Sequence, residues 1–230
     1  MLYIVGTAIG NIEDTSLRAV KTLAQADVIL AEDTRSYGSY YKRIVALFGV
    51  KVKPDQKIIS FHDQNEYKNL SYVLKILEKN LEVAIVSEAG MPLVSDPGVQ
   101  LVREAMKRGH ETTVIPGPTA FVNAAVLSGF STERLIFIGF APKKGAELLK
   151  VLQEFTQLKS KKMNPTFVFY ESPHRIAQTL QILYENYPNA QVAICREMTK
   201  KFEEVIRGMP SELMKKNYKG ELTVVVSQIV

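Results

Sequence analysis

The amino-acid sequence predicts an α/β protein of two domains, each a β-sheet with helices packed on its faces. Short apolar runs such as Leu2–Val5 and Val28–Ala31 alternate along the chain with amphipathic segments of helical period. These runs are apolar throughout rather than on one side, which is typical of strands in a parallel sheet that is covered on both faces. A Pro-Gly-Pro block at 116–118 interrupts the alternation, and the charge balance of the chain changes there.

We place the domain boundary at this block, so that residues 1–115 form a parallel-sheet α/β domain and residues 116–230 a mixed-sheet α/β domain. The first part contains fourteen Lys and Arg and fourteen Asp and Glu, whereas the second contains fifteen and ten and so carries the whole net charge of +5. The lysines of the second part are concentrated at Lys143, Lys144, Lys150, Lys159, Lys161 and Lys162, and at Lys200, Lys201, Lys215, Lys216 and Lys219. Such lysines either bind a polyanion or form a solvated surface, and charge alone leaves both interpretations open.

In the first domain the pattern predicts five strands, at 2–5, 28–31, 58–61, 83–86 and 112–115. Helices are predicted at 16–25, from the mid-30s to about 48, through 70–77 and at 99–108. Asp14 or Thr15 is expected to cap the first helix, and Gly109 to end the last one.

In the second domain the pattern predicts helices at 121–127, 147–155 and from about 176 to 187, with strands at 135–140, 166–170, 191–195 and 221–226. The single cysteine, Cys195, ends an apolar run and is expected to be a buried thiol. One cysteine and three histidines provide neither a disulfide framework nor the usual zinc ligands, so no metal is expected. No apolar run approaches the ~18 residues of a membrane helix, and the N-terminal run is too short for a secretory signal, so we expect a cytoplasmic protein.

Six polar or glycine-rich segments each follow a predicted strand: 6–14, 32–35, 87–98, 116–120, 171–175 and 196–200. Ligand sites of parallel α/β sheets lie at the carboxyl ends of the strands, so we expect the six segments to converge on one crevice between the domains. The segment VSEAGMPLVSDPG, Val86 to Gly98, combines two glycines and two prolines, which fix the backbone and leave its amides and carbonyls available to a ligand. Alone it would be read as an ordinary strand-to-helix turn. The GTAIG loop is neither a dinucleotide-binding nor a P-loop motif.

Taken in order, IVGTAIGNIEDTSLRA, AEDTR, VSEAGMPLVSDPG, IPGPTA, FYESPHR, REMTK and KGEL resemble the ribosomal RNA small subunit methyltransferase I family, within the tetrapyrrole methylase superfamily. The resemblance spans nearly the whole chain. It implies two α/β domains of the tetrapyrrole methylase type with the cofactor S-adenosylmethionine in a cleft between them, usually as a homodimer. It also implies methyl transfer to the ribose 2′-hydroxyl of a cytidine in the decoding region of 16S ribosomal RNA, in the small ribosomal subunit.

The same resemblance implies which residues contact the cofactor, many of them through the backbone. They are Gly6, Thr7, Gly90, Met91, Val94, Thr119, Ala120, Tyr170, Gly220 and Glu221. The chain departs from the family pattern in reading VGTAIGN for VPTPIGN and SEAGMP for SDAGTP, which places Glu88 and Met91 at atypical positions. Many relatives also continue into a further C-terminal helical segment.

Methyl transfer to a hydroxyl needs an in-line approach and is helped by a base within hydrogen-bond reach of the hydroxyl. Candidate bases in the polar segments are Glu32, Asp33, Asp96, His174 and Lys200, which the sequence does not rank. Three arginines, Arg35, Arg175 and Arg196, have the planar fork of donors that suits a phosphate, although each could instead form a structural ion pair. Tyr37, Tyr40 and Phe61 are candidates to stack on a splayed-out base, with core packing the stronger expectation for Phe61.

Two other functions stay open at this point. One is a small-molecule methyltransferase of the tetrapyrrole type, against which the basic second half and the AEDTR and ESPHR motifs argue. The other is a ribosome-binding protein that keeps the fold but has lost catalysis, for which Glu88 and Met91 are the motive.

Overall fold

A computed structural model describes residues 1–157 and 165–229 of the chain. These residues form two compact units, Met1–Thr119 and Ala120–Val230. The division lies a few residues after the predicted boundary at 115/116, at the start of a helix rather than at the Pro-Gly-Pro block. Lys159, Lys161 and Lys162 of the predicted basic surface lie outside the described residues.

The N-terminal unit contains a five-stranded sheet in the order β3-β2-β4-β1-β5, in which every pairing is parallel. Its strands are β1 (Leu2–Val5), β2 (Val28–Ala31), β3 (Lys57–Ser60), β4 (Val83–Ile85) and β5 (Thr112–Ile115). Its helices are α1 (Leu17–Gln25), α2 (Thr34–Phe48), α3 (Glu66–Glu78) and α4 (Val99–Lys107), with a short 3₁₀ helix at Ile12–Asp14. The parallel sheet follows from strands that are buried on both faces.

Successive side chains of the strands pack alternately into two separate hydrophobic cores, one on each face of the sheet. Leu30 of β2 belongs to the core that includes residues of α3 and α4, whereas its neighbour Ile29 belongs to the core with α1 and α2. The three central strands β1, β2 and β4 therefore bury both of their faces, which explains why their sequences are continuously apolar.

The predicted cap of the first helix is wrong by one or two residues. The side chain of Ser16 accepts a hydrogen bond from the amide of Ala19 and is the N-cap of α1. Asp14 cannot take this role because it lies in the 3₁₀ helix, whose own N-cap is Asn11, and Thr15 ends that helix. Gly109 has φ +77° and follows α4, as expected for a glycine that ends a helix.

The C-terminal unit contains a mixed five-stranded sheet in the order β6-β7-β10-β8-β9, in which β6 and β7 are parallel and the other pairings antiparallel. Its strands are β6 (Leu135–Phe140), β7 (Thr166–Glu171), β8 (Gln191–Arg196), β9 (Glu204–Gly208) and β10 (Leu222–Ser227). Its helices are α5 (Ala120–Ser128), α6 (Gly145–Gln157), α7 (Ile176–Asn186) and α8 (Pro210–Leu213).

Strand β9 and helix α8 were not predicted. Strand β9 is an edge strand in which Ile206 is the buried side chain, so its apolar signal is too weak to stand out from a loop. Cys195 is fully buried as expected, and its Sγ lies 3.8 Å from the carbonyl oxygen of Ala124 in α5. Burial raises the pKa of this thiol to about 11.

Candidate active site

Three loops of the N-terminal unit pack against each other through their backbones. They follow β1, β4 and β5, which are neighbours in the sheet. The amide of Gly6 donates to the carbonyl of Ile115 at 2.9 Å, and the amide of Thr7 donates to the carbonyl of Gly90 at 2.8 Å. A Cβ added to Gly6 would lie 2.6 Å from the amide nitrogen of Gly117, and one added to Gly117 would lie 2.7 Å from the carbonyl carbon of Gly6. The close approach of the two loops therefore requires glycine at both positions.

The loop after β4 has a strongly specified backbone. Four of its residues adopt a positive φ: Gly90 (82°), Leu93 (68°), Ser95 (69°) and Gly98 (117°). Such a conformation is costly for the two residues that are not glycine, and it persists where the surrounding structure enforces it, often at functional sites. Within the loop, the hydroxyl of Ser87 donates to the carbonyl of Gly90 at 3.3 Å.

Four carboxylates come together at the same edge of this sheet. Glu32, Asp63 and Glu88 follow the adjacent strands β2, β3 and β4, and Asp96 lies in the loop after β4. Burial raises the pKa of Asp96 to about 6, and the charges of Glu32, Glu88 and Asp63 add to the rise. Burial also raises the pKa of Glu32, again with help from Glu88 and Asp63. A carboxyl group with a pKa near neutrality is suited to proton transfer.

Asp33 has a structural role at the start of α2. Its carboxylate accepts hydrogen bonds from the amides of Arg35, at 2.7 Å, and Ser36, at 3.2 Å. These hydrogen bonds, the one from Arg35 first, lower the pKa of Asp33. The side chain of Arg35 is exposed in the first turn of the helix.

The candidate residues of the C-terminal unit also meet at one edge of their sheet. Glu171 at the end of β7 and Arg196 at the end of β8 are both in register with Leu222, the first residue of β10. Lys200 follows β8, and its ammonium contacts the carboxylates of Glu221 at 2.9 Å and Glu197 at 3.2 Å. Burial alone would lower the pKa of Lys200, but the hydrogen bonds and charges of Glu221 and Glu197 outweigh it and raise the pKa. Lys200 is therefore held as an ammonium ion.

A tight turn precedes β10. Gly220 has φ +82°, and a Cβ at this position would lie 2.6 Å from Oε1 of Glu197. The amide of Glu221 donates to the same oxygen at 2.8 Å. The turn thus fits around the Glu197 carboxylate and needs glycine at 220.

Two of the three candidate arginines form ion pairs within the C-terminal unit. Arg175 contacts the buried Glu171 at 2.8 Å and donates to the carbonyl of Ala141 at 3.1 Å. Arg196 contacts Glu204 at 3.1 Å. His174 is exposed, and its amide donates to the hydroxyl of Ser172 at 3.2 Å.

The remaining candidates lie in both units. Met91 and Val94 are half-buried in the loop after β4, and Sδ of Met91 lies 2.6 Å from a Cβ added to Gly6, so Met91 covers that glycine. The hydroxyl of Thr119 donates to the carbonyl of Gly117 at 3.4 Å. In the C-terminal unit Ala120 is the first residue of α5, and the ring of Tyr170 packs against those of Phe137 and Phe140.

The structure adds residues that the sequence did not single out. Gly117 and Ser87 shape the loops, and Asp63 joins the carboxylates. Asp63 follows a predicted strand as the other acids do, which is the signal that could have found it. Phe61 is 2% exposed and belongs to the core, as expected. Among residues 1–157 and 165–229, no group of three potential metal ligands is present, and no helix is long and apolar enough to span a membrane.

Comparisons with known proteins first identify the class of this fold and site. The sequence profile of the family Tetrapyrrole (Corrin/Porphyrin) Methylases matches residues 1–213. A crystal structure of uroporphyrin-III C-methyltransferase from Thermus thermophilus aligns with a TM-score of 0.64 at 19% identity, covering 97% of this chain and 93% of that one. A cobalt-precorrin-4 methyltransferase structure aligns with a TM-score of 0.62 at 17% identity, covering 98% and 93%. The predicted fold class of two α/β domains of the tetrapyrrole methylase type is confirmed.

Curated relatives then define the family within this class. The ribosomal RNA small subunit methyltransferase I of Thermotoga maritima is 43% identical, over 98% of this chain and 97% of its own length. The protein of the same name from Halalkalibacterium halodurans is 39% identical, over 98% of this chain and 75% of its own length. The chain belongs to the ribosomal RNA small subunit methyltransferase I family. The predicted methyltransferase activity and the predicted cofactor, S-adenosylmethionine, are confirmed with it.

Proposed function

We propose that the protein transfers a methyl group from S-adenosylmethionine to the ribose 2′-hydroxyl of a cytidine in the decoding region of 16S ribosomal RNA. The observation that most supports a catalytic function concerns Asp96. This carboxylate belongs to the loops that pack together through their backbones, and its pKa is raised to about 6. The named relatives favour ribosomal RNA as the substrate. Action on small ribosomal subunits in the cytoplasm, and assembly as a homodimer, belong to the same proposal.

The residues of the N-terminal unit fit this cofactor. When bound, S-adenosylmethionine supplies an electrophilic methyl group on a positively charged sulfonium. The carboxylates of Asp63 and Asp96 are opposite in sign to that charge and would attract it. The loop backbones at Gly6, Thr7 and Gly90 and the half-buried side chains of Met91 and Val94 would hold the cofactor, together with Thr119, Ala120, Tyr170, Gly220 and Glu221. The predicted cleft between the domains stays part of this proposal.

Among the predicted catalytic residues, Asp96 is the best candidate for the base. A base must be unprotonated at the working pH and yet basic enough to accept the proton that the hydroxyl releases during transfer, and a carboxylate with a pKa of about 6 meets both requirements. Asp33 is committed to two backbone amides, and its lowered pKa makes it a weak base. Lys200 is held protonated by two carboxylates. Among the described residues, no hydrogen bond or ion pair orients the imidazole of His174 as a base, and only its backbone amide is bonded, to Ser172.

The RNA backbone would meet exposed cations. Arg35 is exposed beside the carboxylate edge, whereas Arg175 and Arg196 are paired with Glu171 and Glu204. We therefore assign phosphate binding first to Arg35. The exposed lysines of the C-terminal unit would add a general attraction to RNA that weakens with salt; they are Lys143, Lys144, Lys150, Lys201, Lys215, Lys216 and Lys219.

The test combines cofactor binding with methyl incorporation. We expect calorimetry to detect binding of S-adenosylmethionine, and we expect small subunits that lack the modification to accept labelled methyl at a ribose that then resists nuclease. Asp96→Asn should lower kcat by about 10²- to 10⁴-fold, the usual contribution of a general base.

Glu78→Gln is the matched control. Glu78 is the last residue of α3 and pairs with Arg108 at the opposite edge of the sheet, before β4. This variant should keep full activity. Methylation of a tetrapyrrole but not of small subunits would refute the RNA assignment, and cofactor binding without any methyl transfer would support a protein that has lost catalysis.

A further inference from the structure

A small pocket lies within the N-terminal unit beside the carboxylate edge. Its volume is about 200 Å³, and it is lined by Ala31, Glu32, Asp33, Ser36, Tyr37, Tyr40, Ser87 and Glu88. At ~30 Å³ for each water molecule, the pocket has room for about six waters, which is the scale of one planar ring rather than of a whole cofactor.

Two tyrosines of α2 line this pocket and differ in their hydrogen bonds. The hydroxyl of Tyr40 is committed, because it accepts from the amide of Ala8 at 3.2 Å and lies 2.7 Å from the hydroxyl of Thr15. Tyr37 is 6% exposed, and its hydroxyl has no hydrogen-bond partner among the described residues. A buried hydroxyl normally has a partner, so the unpaired hydroxyl of this pocket-lining tyrosine points to a partner that the protein alone does not supply. Burial holds its pKa well above 10, so it remains a hydroxyl that can donate.

The lining of the pocket defines the chemistry of its occupant. Glu32 and Glu88 provide acceptors, the Tyr37 hydroxyl provides a donor, and the rings of Tyr37 and Tyr40, 6.1 Å apart, provide flat apolar surfaces. The carboxylates repel a phosphate, and no metal-ligand group occurs among the described residues. The complementary molecule is a planar ring that carries an amino donor next to ring acceptors, and the edge of cytosine has this pattern. Uracil presents a carbonyl where cytosine presents the amino group, so it would face the carboxylates with an acceptor.

We propose that this pocket receives the cytosine base of the nucleotide that is methylated, with Glu32 accepting from its amino group and the Tyr37 hydroxyl donating to a ring acceptor. The inference rests on the proposed function. The position is consistent with it, because Glu32 is near enough to act electrostatically on Asp96, the proposed base for the ribose hydroxyl. A base that is taken out of its stack is generally read in this way, by hydrogen bonds to its edge and by contact with aromatic rings.

The experiment compares small subunits that lack the modification and carry either cytidine or uridine at the methylated position. The unmodified protein should prefer cytidine by about 10-fold or more in kcat/KM. Glu32→Gln should reduce this preference by at least about 5-fold, because an amide can donate to the uracil carbonyl as well as accept from the cytosine amino group. Tyr37→Phe should raise KM for the cytidine substrate by about 3- to 10-fold, the value of one neutral hydrogen bond. Neither variant should change the affinity for S-adenosylmethionine, and the control Glu78→Gln should match the unmodified protein.

Each outcome bears on one proposal or on both. If Glu32→Gln and Tyr37→Phe weaken cofactor binding and leave the cytidine preference intact, the cofactor occupies the pocket and the inference is overturned. If the unmodified protein methylates small subunits but both variants behave like Glu78→Gln, the pocket assignment fails while the proposed function stands. If the unmodified protein methylates neither substrate, the proposed function fails and the inference fails with it.

Discussion

Replacing Asp96 with asparagine should stabilise the protein at neutral pH while it removes activity. The rise of the Asp96 pKa from 3.8 to about 6 means that the folded protein disfavours the charged carboxylate. At ~1.4 kcal/mol per pKa unit, the rise corresponds to about 3 kcal/mol above pH 7. Because Asp96 is partly exposed, solvent screening reduces the expected gain of Asp96→Asn to about 1–2 kcal/mol.

The pH dependence of this gain separates it from a packing effect. Below pH 3.8 the carboxyl group is protonated in both the folded and the unfolded state, so the aspartate costs nothing. Between pH 3.8 and about 6 the unfolded state loses the proton while the folded state keeps it, so the stability of the unmodified protein falls as pH rises. At pH 4.5 the gain should therefore be about a third of its value at pH 7.5.

Scanning calorimetry of both proteins at the two pH values measures this directly, since ~1 kcal/mol shifts the melting temperature by about 2–4 °C in a chain of this size. Both proteins should be scanned at the same rate and the same protein concentration, because an apparent melting temperature depends on these conditions. A gain of equal size at both pH values, or a loss of stability at pH 7.5, would show that burial and the neighbouring carboxylates do not raise the pKa of Asp96 as described.

Three further changes test other parts of the structure. Gly6→Ala should weaken S-adenosylmethionine binding by about 10-fold or more and destabilise the fold by about 1–3 kcal/mol, because the new Cβ would lie 2.6 Å from both Gly117 and Met91. Calorimetry measures both effects. The control Gly38→Ala, with nothing within 4 Å of its Cβ, should instead stabilise α2 by about 0.5–1 kcal/mol. Arg175→Met should lower the free energy of unfolding in urea by about 2–3 kcal/mol, because it leaves the buried Glu171 carboxylate without its cation. Unchanged stability would instead favour a role for Arg175 in phosphate binding. Cys195 should react with iodoacetamide at pH 8 only when the protein unfolds, since the thiol is buried and its pKa is about 11.

Features that depend on a local sequence pattern could be predicted from the sequence, whereas features that depend on the order of the strands could not. The loops after β1, β4 and β5 were found because each combines glycine or proline with a preceding apolar run. The raised pKa of Asp96 could not be found in this way, because it depends on acids that are up to 64 positions apart in sequence and adjoin only through the order β3-β2-β4. That order is set by how the helices pack on the two faces of the sheet, which the local pattern does not contain.

The ion pairs of the second domain show the same limit. Glu171 and Arg175 are four residues apart in one polar segment between a predicted strand and a predicted helix, so their pairing is within reach of sequence reasoning. The pairing of Arg196 with Glu204 is not, because it crosses the hairpin of β8 and β9, and β9 went unpredicted. Interpreting these arginines as phosphate ligands was reasonable only while their carboxylate partners were unknown.

Among the departures from the family pattern, Glu88 affects the pocket rather than the loop backbone. The contacts that hold the loops are made by Gly6, Thr7, Gly90 and Gly117, whereas Glu88 is exposed and lines the pocket. The charge of Glu88 is one of those that raise the pKa of Asp96. Glu88→Gln removes that charge and should lower the pKa of Asp96, since a neighbouring negative charge no longer opposes ionisation.

This change has a definite sign in the kinetics. Activity should rise with pH as the proposed base loses its proton, so the acidic limb of the kcat/KM profile should move to lower pH in Glu88→Gln. Asp96→Asn should have no such limb, and Glu78→Gln should leave it in place. A limb that moves to higher pH, or that persists unchanged in Asp96→Asn, would assign the base to another residue. Because the loop contacts do not involve Glu88, cofactor affinity and melting behaviour near pH 4 should stay close to those of the unmodified protein, so that a shifted limb reports on electrostatics and not on a displaced loop.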